Sequence, residues 1–269
     1  MQLPTRNTSD ESDWAWLQGE IRSASRSFVD QLRLIDAGSQ AVPNLDWDVR
    51  ELAAHVVCLP AFYKSLNESA EPMEMPAHFP DFSRSVRAHL DQHDLEALAG
   101  MLLVETESLL ENLGDEGTAP WMLYLNTTVE KVGAGYLGEL LLHGQDLAPL
   151  SGATVAIEAR HAHRWIAASM TLAPFFVDRE VARKYPGVYH LRFRGGEEYT
   201  MRIVDGVLSI NPGRPPKPDG HMVADPVAYM LVSMGRMSQV RAGLTGKIVV
   251  YGRRPWKFFG LDKIRVDGV

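Results

Sequence analysis

Glu139, His143 and Asp146 stand four and three residues apart in the run Gly138-Glu139-Leu140-Leu141-Leu142-His143-Gly144-Gln145-Asp146. A carboxylate and an imidazole are ligands for a divalent cation, and a second carboxylate can accept the imidazole's other proton and fix its orientation. On an α-helix these spacings share a face, so Val132, Tyr136, Glu139, His143, Asp146 and Leu150 form a row, apolar at its ends and polar in the middle. Leu137, Leu140, Leu141, Leu142 and Leu147 cover the other faces, which predicts a helix buried nearly all round. A buried carboxylate and imidazole need partners, and a divalent metal, zinc above all, suits both. Spacing alone leaves the ordinary alternative open, an exposed hydrogen-bonded Glu–His pair.

A catalytic zinc site takes three protein ligands and keeps a fourth position for water or substrate, so one more ligand has to come from another element. The single cysteine, Cys58, excludes an internal disulfide and a Cys-rich site, and points the search to histidine and carboxylate. Among nine histidines, His55 is the best candidate, because Val49, Leu52, His55, Val56 and Leu59 share the core face of a predicted helix. His78 sits in a proline-rich loop, His89 and His93 lie among charged residues, His161 and His163 have Glu158, Arg160 and Arg164 beside them, and His190 and His221 belong to predicted strands.

The elements that must position these residues are helical in the first two thirds. Asp13 to Ile35 reads as a helix with Ser12 as candidate cap; Asp46 or Asp48 starts a second, ended by Pro60; further helices cover about 82–92 and 95–113, the latter closed by Gly114. A Pro- and Met-rich connection, 71–80, and a looser stretch, 118–128, separate them, and the Glu139/His143 helix stops around Pro149 and Gly152. Four or five such helices with short links make a bundle, and the helical segment 157–177 closes it or joins it to the C-terminal third. From Tyr189 the apolar period becomes two: strands at 189–194, 199–204 and 207–210 with Gly195-Gly196 and Asp205-Gly206 turns, then 221–223 and 247–251, around a helix from Asp225-Pro226 to about Val240 and a short one near Trp256. The prediction is an α+β chain with a bundle over 1–180 and a mostly antiparallel sheet domain over 181–269.

Net charge −7 and pI near 5.7 argue against nucleic-acid and anionic-membrane partners. The opening residues lack a signal-peptide pattern, and the longest uncharged apolar run, 166–177, contains Pro174 and is too short to span a bilayer, so a cytoplasmic protein is expected.

Val42-Pro43-Asn44-Leu45-Asp46-Trp47-Asp48-Val49-Arg50-Glu51-Leu52-Ala53-Ala54-His55 resembles the Pro…Trp-x-Val-x-Asp/Glu-Leu-x-x-His signature of the mycothiol-dependent maleylpyruvate isomerase family, a branch of the DinB-like helical bundles. Glu139 to Ala148 is similar to that family's second signature, Glu-x-x-x-His-x-x-Asp-Leu-Ala. Glu51 stands where Asp is usual and Gln145 where an aromatic is frequent; neither is a proposed ligand. The resemblance implies zinc at His55, Glu139 and His143. Residues 189–269, with Asp205-Gly206, Gly235-Arg236 and Leu244 to Gly252, resemble a sterol-carrier-protein-type domain, which relatives carry behind the bundle.

By analogy, a low-molecular-weight thiol, mycothiol in this family, is deprotonated at the zinc and attacks a small electrophile in an isomerase or S-transferase reaction. An acidic substrate such as maleylpyruvate needs a cation, for which Arg236 is the candidate catalytic residue, its ordinary role being to complement a helix C-terminus. Two rivals keep the scaffold: a non-catalytic carrier of an apolar ligand with a structural metal, and a zinc enzyme of a biosynthetic pathway that does not use mycothiol. Met222, Met230, Met234 and Met237 as a tunnel lining, Arg253, Arg254 and Lys257 as an anion site, and Cys58 as a metal neighbour are weaker features, each better read as core, solvated face and inert thiol.

Overall fold

The computed structural model describes residues 13–68, 79–114, 118–119 and 127–264. Ser12, His78, Pro120, Trp121 and most of the Pro- and Met-rich connection lie outside the described residues. The helical part comprises α1 (Asp13–Arg33), α2 (Val49–Glu68), α3 (Phe79–Gln92), α4 (Leu95–Leu113) and α5 (Val129–Ser151), with a minimal pair of strands, β1 (Thr118–Ala119) and β2 (Thr127–Thr128), ahead of α5. Helices α1, α2, α4 and α5 pack on one another as a four-helix bundle, and α3 lies along α2. Their core is continuous, from Trp14, Leu17 and Ile21 of α1 through Leu52, Val56, Leu98 and Leu102 to Leu137 and Leu140 of α5.

Capping chemistry sets several boundaries. Asp48 and Glu51 form a reciprocal capping box at the start of α2: the Asp48 carboxylate accepts from Glu51 N at 2.8 Å and the Glu51 carboxylate from Asp48 N at 2.8 Å. That box fixes Trp47 and His55 relative to the helix, and it gives Glu51 a structural role. Asp94 caps α4 by accepting from Ala97 N at 2.9 Å, and Gly152, left-handed at φ 72°, ends α5.

Pro60 does not end α2, which runs through it to Glu68. A mid-helix proline costs about 3 kcal/mol by removing a donor and crowding the preceding turn. Here core packing on both sides outweighs that cost, with Val56, Val57 and Leu59 before the proline and Phe62 and Tyr63 after it.

The remainder is α6 (Ala159–Leu172), α7 (Arg179–Ala182), strands β3 (Gly187–Phe193), β4 (Glu198–Val204), β5 (Val207–Pro212) and β6 (Gly220–Ala224), α8 (Pro226–Ser233), α9 (Gln239–Leu244) and β7 (Ile248–Tyr251), followed by 3-10 turns at Pro255–Phe258 and Leu261–Ile264. The sheet order is β5-β4-β3-β6-β7, antiparallel throughout except for the central β3–β6 pair. The molecule is therefore α+β, as its periodicities predict. Tyr189, Leu191 and Phe193 alternate towards a second core that also holds Trp165, Ile166 and Met170 of α6 and Leu142 of α5.

The helix expected to reach Val240 breaks at Ser233 instead. Gly235 is left-handed at φ 72°, and Arg236 N turns back to Leu231 O at 2.7 Å, so the chain reverses there. Ser238 then caps α9, accepting from Arg241 N at 3.1 Å. The break is what aims Arg236 at α5.

Candidate metal centre

Helix α5 is buried on almost every face, including His143 and Asp146, while Glu139 one turn earlier keeps its side chain 22% exposed. Across from it, α2 carries the half-buried His55 on the same stripe as Val56 and Leu52. The two imidazoles meet edge to face with ring centroids 5.1 Å apart. His143 Nε2 lies 3.4 Å from Glu139 Oε2, and one donor atom from each of His55, Glu139 and His143 lies within 4.8 Å of the others. Among the described residues this is the one cluster of three metal-ligand types that close.

The donor set fits a divalent cation with two imidazoles and a carboxylate, the composition of open catalytic zinc sites. Bonds of about 2 Å bring such atoms closer than they stand here, so a bound ion would draw the three side chains together.

His143 Nδ1 is 3.0 Å from Asp146 Oδ2, which leaves Nε2 towards Glu139 and His55. Asp146 is itself held: Arg236 donates from Nε to Oδ1 at 3.1 Å and from Nη2 to Oδ2 at 2.6 Å, while its Nη1 donates to Met234 O at 2.6 Å. A chain of contacts thus runs from the loop after α8, through Asp146, to the proposed ligand His143. Bidentate Arg–carboxylate geometry is the strongest form such a link takes.

The charges derive from this layout. Burial, reinforced by His143 and Arg236 and opposed by Glu139, lowers the His55 pKa to about 3, leaving a neutral imidazole with a free lone pair. Burial pushes the Glu139 carboxyl up, but the hydrogen bond and charge of His143, with His55 and Arg236, more than offset it and hold the group below its ordinary value. Asp146 is likewise lowered, its burial outweighed by His143 and Arg236. For His143 the balance runs the other way: burial is overcome by Asp146 and Glu139, and its pKa is raised. Two carboxylates and a guanidinium therefore surround the imidazoles.

Aromatic rings complete the surroundings, and these are what sequence reasoning missed as site residues. Trp47 lies 4.8 Å from the His55 ring and 6.3 Å from His143, Phe82 meets His55 edge-on at 5.3 Å, and Phe62 packs on Phe82 at 5.1 Å. Trp47 belongs to the motif that ends at His55; Phe82 and Phe62 carry no signal beyond apolar residues at helical spacing.

Other candidates lie elsewhere. Cys58 is buried, its Sγ 3.5 Å from His89 Nδ1, and burial with Glu105 raises its thiol to about 12, which leaves it an inert thiol. His161 accepts from Glu158 N at the start of α6 and meets Glu20 at 3.1 Å. His190 and His221 pair through their Nδ1 atoms at 2.9 Å on the sheet. Arg253, Arg254 and Lys257 converge on Asp219, at 3.1, 3.7 and 3.9 Å. Met222 and Met230 are buried in the core of the sheet layer.

Residues 19–148 match the family described as mycothiol maleylpyruvate isomerase N-terminal domain. Among solved structures, the mycothiol-dependent maleylpyruvate isomerase is similar over 88% of this chain and 92% of its own, at 13% identity and a TM-score of 0.44. Sterol carrier protein 2 like 2 from Aedes aegypti is similar over 40% of this chain and 99% of its own, at 19% identity and a TM-score of 0.34. An inverting sec-alkylsulfatase from Pseudomonas sp. is similar over 80% of this chain and 33% of its own, at 10% identity and a TM-score of 0.37. No curated protein matches the sequence. The matched residues, 19–148, hold both signature motifs and the converging His55, Glu139 and His143, and this part of the chain is similar to the mycothiol maleylpyruvate isomerase N-terminal domain family.

Proposed function

We propose that this protein is a zinc-dependent enzyme that uses a low-molecular-weight thiol, mycothiol by family, in an isomerase or S-transferase reaction on a small electrophile. The observation that carries the reading is the convergence of His55, Glu139 and His143 from two helices onto one point, with donor atoms within 4.8 Å. A divalent ion bound there supplies a Lewis acid that lowers the pKa of a thiol or water occupying its open position. His55 contributes a neutral imidazole, Glu139 a charge-compensating carboxylate, and His143 an imidazole whose Nε2 is turned to the site because Nδ1 is occupied by Asp146. Arg236 touches Asp146 rather than the site's centre, and we read it as a positioning residue that keeps Asp146 charged and in place. Three of its five N–H donors are spent on Asp146 and Met234 O, which makes a substrate-binding role the weaker assignment.

We place the protein in the cytoplasm with small molecules as its partners; the net charge of −7 weighs against nucleic-acid and anionic-membrane partners. Among the described residues no helix is long and apolar enough to cross a membrane.

Elemental analysis of the purified chain tests the site, with about one zinc per chain expected. The His55→Ala, His143→Ala double variant should lose it; a variant that keeps its zinc places the metal elsewhere. Turnover of maleylpyruvate with and without mycothiol then tests the chemistry. Zinc without turnover favours the biosynthetic rival, in which the same centre serves another reaction.

A further inference from the structure

We infer that the β7 edge of the sheet, with α9 and the 3-10 turn at Pro255–Phe258 that flank it, docks on an anionic lipid surface. This concerns a second face of the molecule and does not depend on the metal centre.

The net charge of −7 is a sum over two unlike parts. Residues 1–180 hold twelve Lys and Arg against twenty-seven Asp and Glu, whereas residues 181–269 hold fifteen against seven. The stretch from Pro226 to Leu261 has six Lys and Arg and not one Asp or Glu. One of the six, Arg236, is turned inward to Asp146; Arg241, Lys247, Arg253 and Arg254 are exposed and Lys257 is half-buried. Arg253, Arg254 and Lys257 share a single carboxylate, Asp219, so two of their three charges are left over. Exposed charges farther apart than about 8 Å are largely screened at physiological salt, so the local excess and not the total decides what this edge attracts.

The same stretch carries outward apolar side chains: Val240, Leu244, Val249, Tyr251, Trp256 and Phe259 are 41–85% exposed. They gather on one margin of the sheet, because α9 and the 3-10 turn both pack on β7, its last strand. Local geometry turns them out. Ile248 and Val250 alternate into the sheet's core and leave Val249 and Tyr251 on the other face. Phe258 packs on Tyr189 at 5.2 Å, while Trp256 and Phe259 on either side of it stay in water. In α9, Ala242 is buried, and Val240 and Leu244, four apart, share the outer face.

Large apolar side chains held in water among cations match a lipid surface. Trp, Phe and Leu enter the boundary between headgroups and acyl chains, and Arg and Lys meet the headgroup phosphates. Nucleic acid would leave part of this edge unused, since Val240 and Leu244 neither stack on bases nor pair with phosphate. Anchors of protein interfaces sit in well-packed, fully desolvated pockets. Side chains as exposed as Leu244, at 85%, stand proud of the surface, which suits a fluid layer better than a fitted partner.

Co-sedimentation of the full chain with phosphatidylcholine vesicles, with and without phosphatidylserine, tests this. Binding is expected only where phosphatidylserine is present, and high salt should weaken it. The Arg241→Glu, Lys247→Glu variant and the Leu244→Ser, Trp256→Ser variant should each raise the apparent Kd about ten-fold or more, with thermal midpoint and metal content unchanged. No binding to either vesicle, equal binding to both, or binding indifferent to both double variants overturns the proposal. Tighter binding of a single-stranded oligonucleotide than of the anionic vesicles would assign the edge to nucleic acid. Self-association of the lipid-free chain that the Leu244→Ser, Trp256→Ser variant abolishes would assign it to a second copy; either result overturns the proposal too. None of these substitutions touches His55, Glu139 or His143, so vesicle binding and zinc content succeed or fail separately.

Discussion

At the scale of single residues, the site is a set of charges arranged around one imidazole. Asp146 both orients His143 and is anchored by Arg236, so its removal should loosen the ligand without emptying the core. We expect Asp146→Asn to weaken zinc binding by about ten-fold or more, read by competitive chelator titration, because outer partners of this kind are typically worth about 10–100-fold. Acid should act on the metal-free protein through His55. Its folded pKa, about 3, lies below the ordinary 6.5, so the unfolded chain binds more protons between those values. Stability should therefore fall as pH drops from 6.5 towards 3, and the lowered Glu139 and Asp146 act in the same sense at the acid end. The raised His143 acts oppositely, contributing stability at low pH that is lost as pH rises through its folded value. Urea midpoints of the metal-free protein at pH 7, 6 and 5 check the direction, and His55→Gln should flatten the series; an unchanged slope would show that His55 is not the titrating group. The proposed ligands were legible because Glu139 and His143 are polar on an otherwise leucine-rich helix and His55 interrupts an apolar stripe. Trp47, Phe62 and Phe82 were not, since an aromatic that lines a site and one that fills a core obey the same spacing.

At the scale of elements, periodicity and caps were readable wherever local chemistry decides the outcome. Gly114 closes α4 and Gly152 ends α5, both as the sequence predicts, whereas the Asp94 cap at the start of α4 emerges only from the structure. They failed where packing overrides propensity, as at Pro60, and where a turn signal was subordinated to an apolar run, as at Gly235, which breaks the stretch from Pro226 that reads as one helix. Close approach of helices leaves another mark that is legible only afterwards: a Cβ at Gly138 would overlap the Trp165 indole, so glycine is what lets α6 lie against α5 one residue from Glu139. Gly138→Ala should cost about 1–3 kcal/mol by overpacking, despite the better helix propensity of alanine, measured as a shift in urea midpoint. A neutral or stabilising result would show that Trp165 moves aside freely.

At the scale of the whole molecule, two cores meet along α5 and α6: Leu142 and Trp165 belong to the sheet's core, while Leu141 and Ala168 of the same helices belong to the bundle's. The sequence periods announce the two parts but not the parallel β3–β6 pairing nor the reversal at Gly235, because both depend on contacts far apart in the chain. Their joint consequence is the Arg236–Asp146 pair, which ties the loop after α8 to the helix of the proposed ligands, with side chains 21% and 5% exposed. Removing one partner of such a pair leaves a poorly solvated charge, so Arg236→Gln and Asp146→Asn should each cost about 2–4 kcal/mol of unfolding free energy. The double variant should cost less than the two together by about 1–3 kcal/mol, since neither charge then remains to be stranded. The same cycle read on zinc affinity separates structure from function: if Arg236 acts through Asp146, then Arg236→Gln weakens zinc binding in the presence of Asp146 and has no further effect in the Asp146→Asn background. Additive losses in both readouts would mean that the guanidinium acts on the site by itself, and the chain from α8 to His143 would not be the link between the two halves.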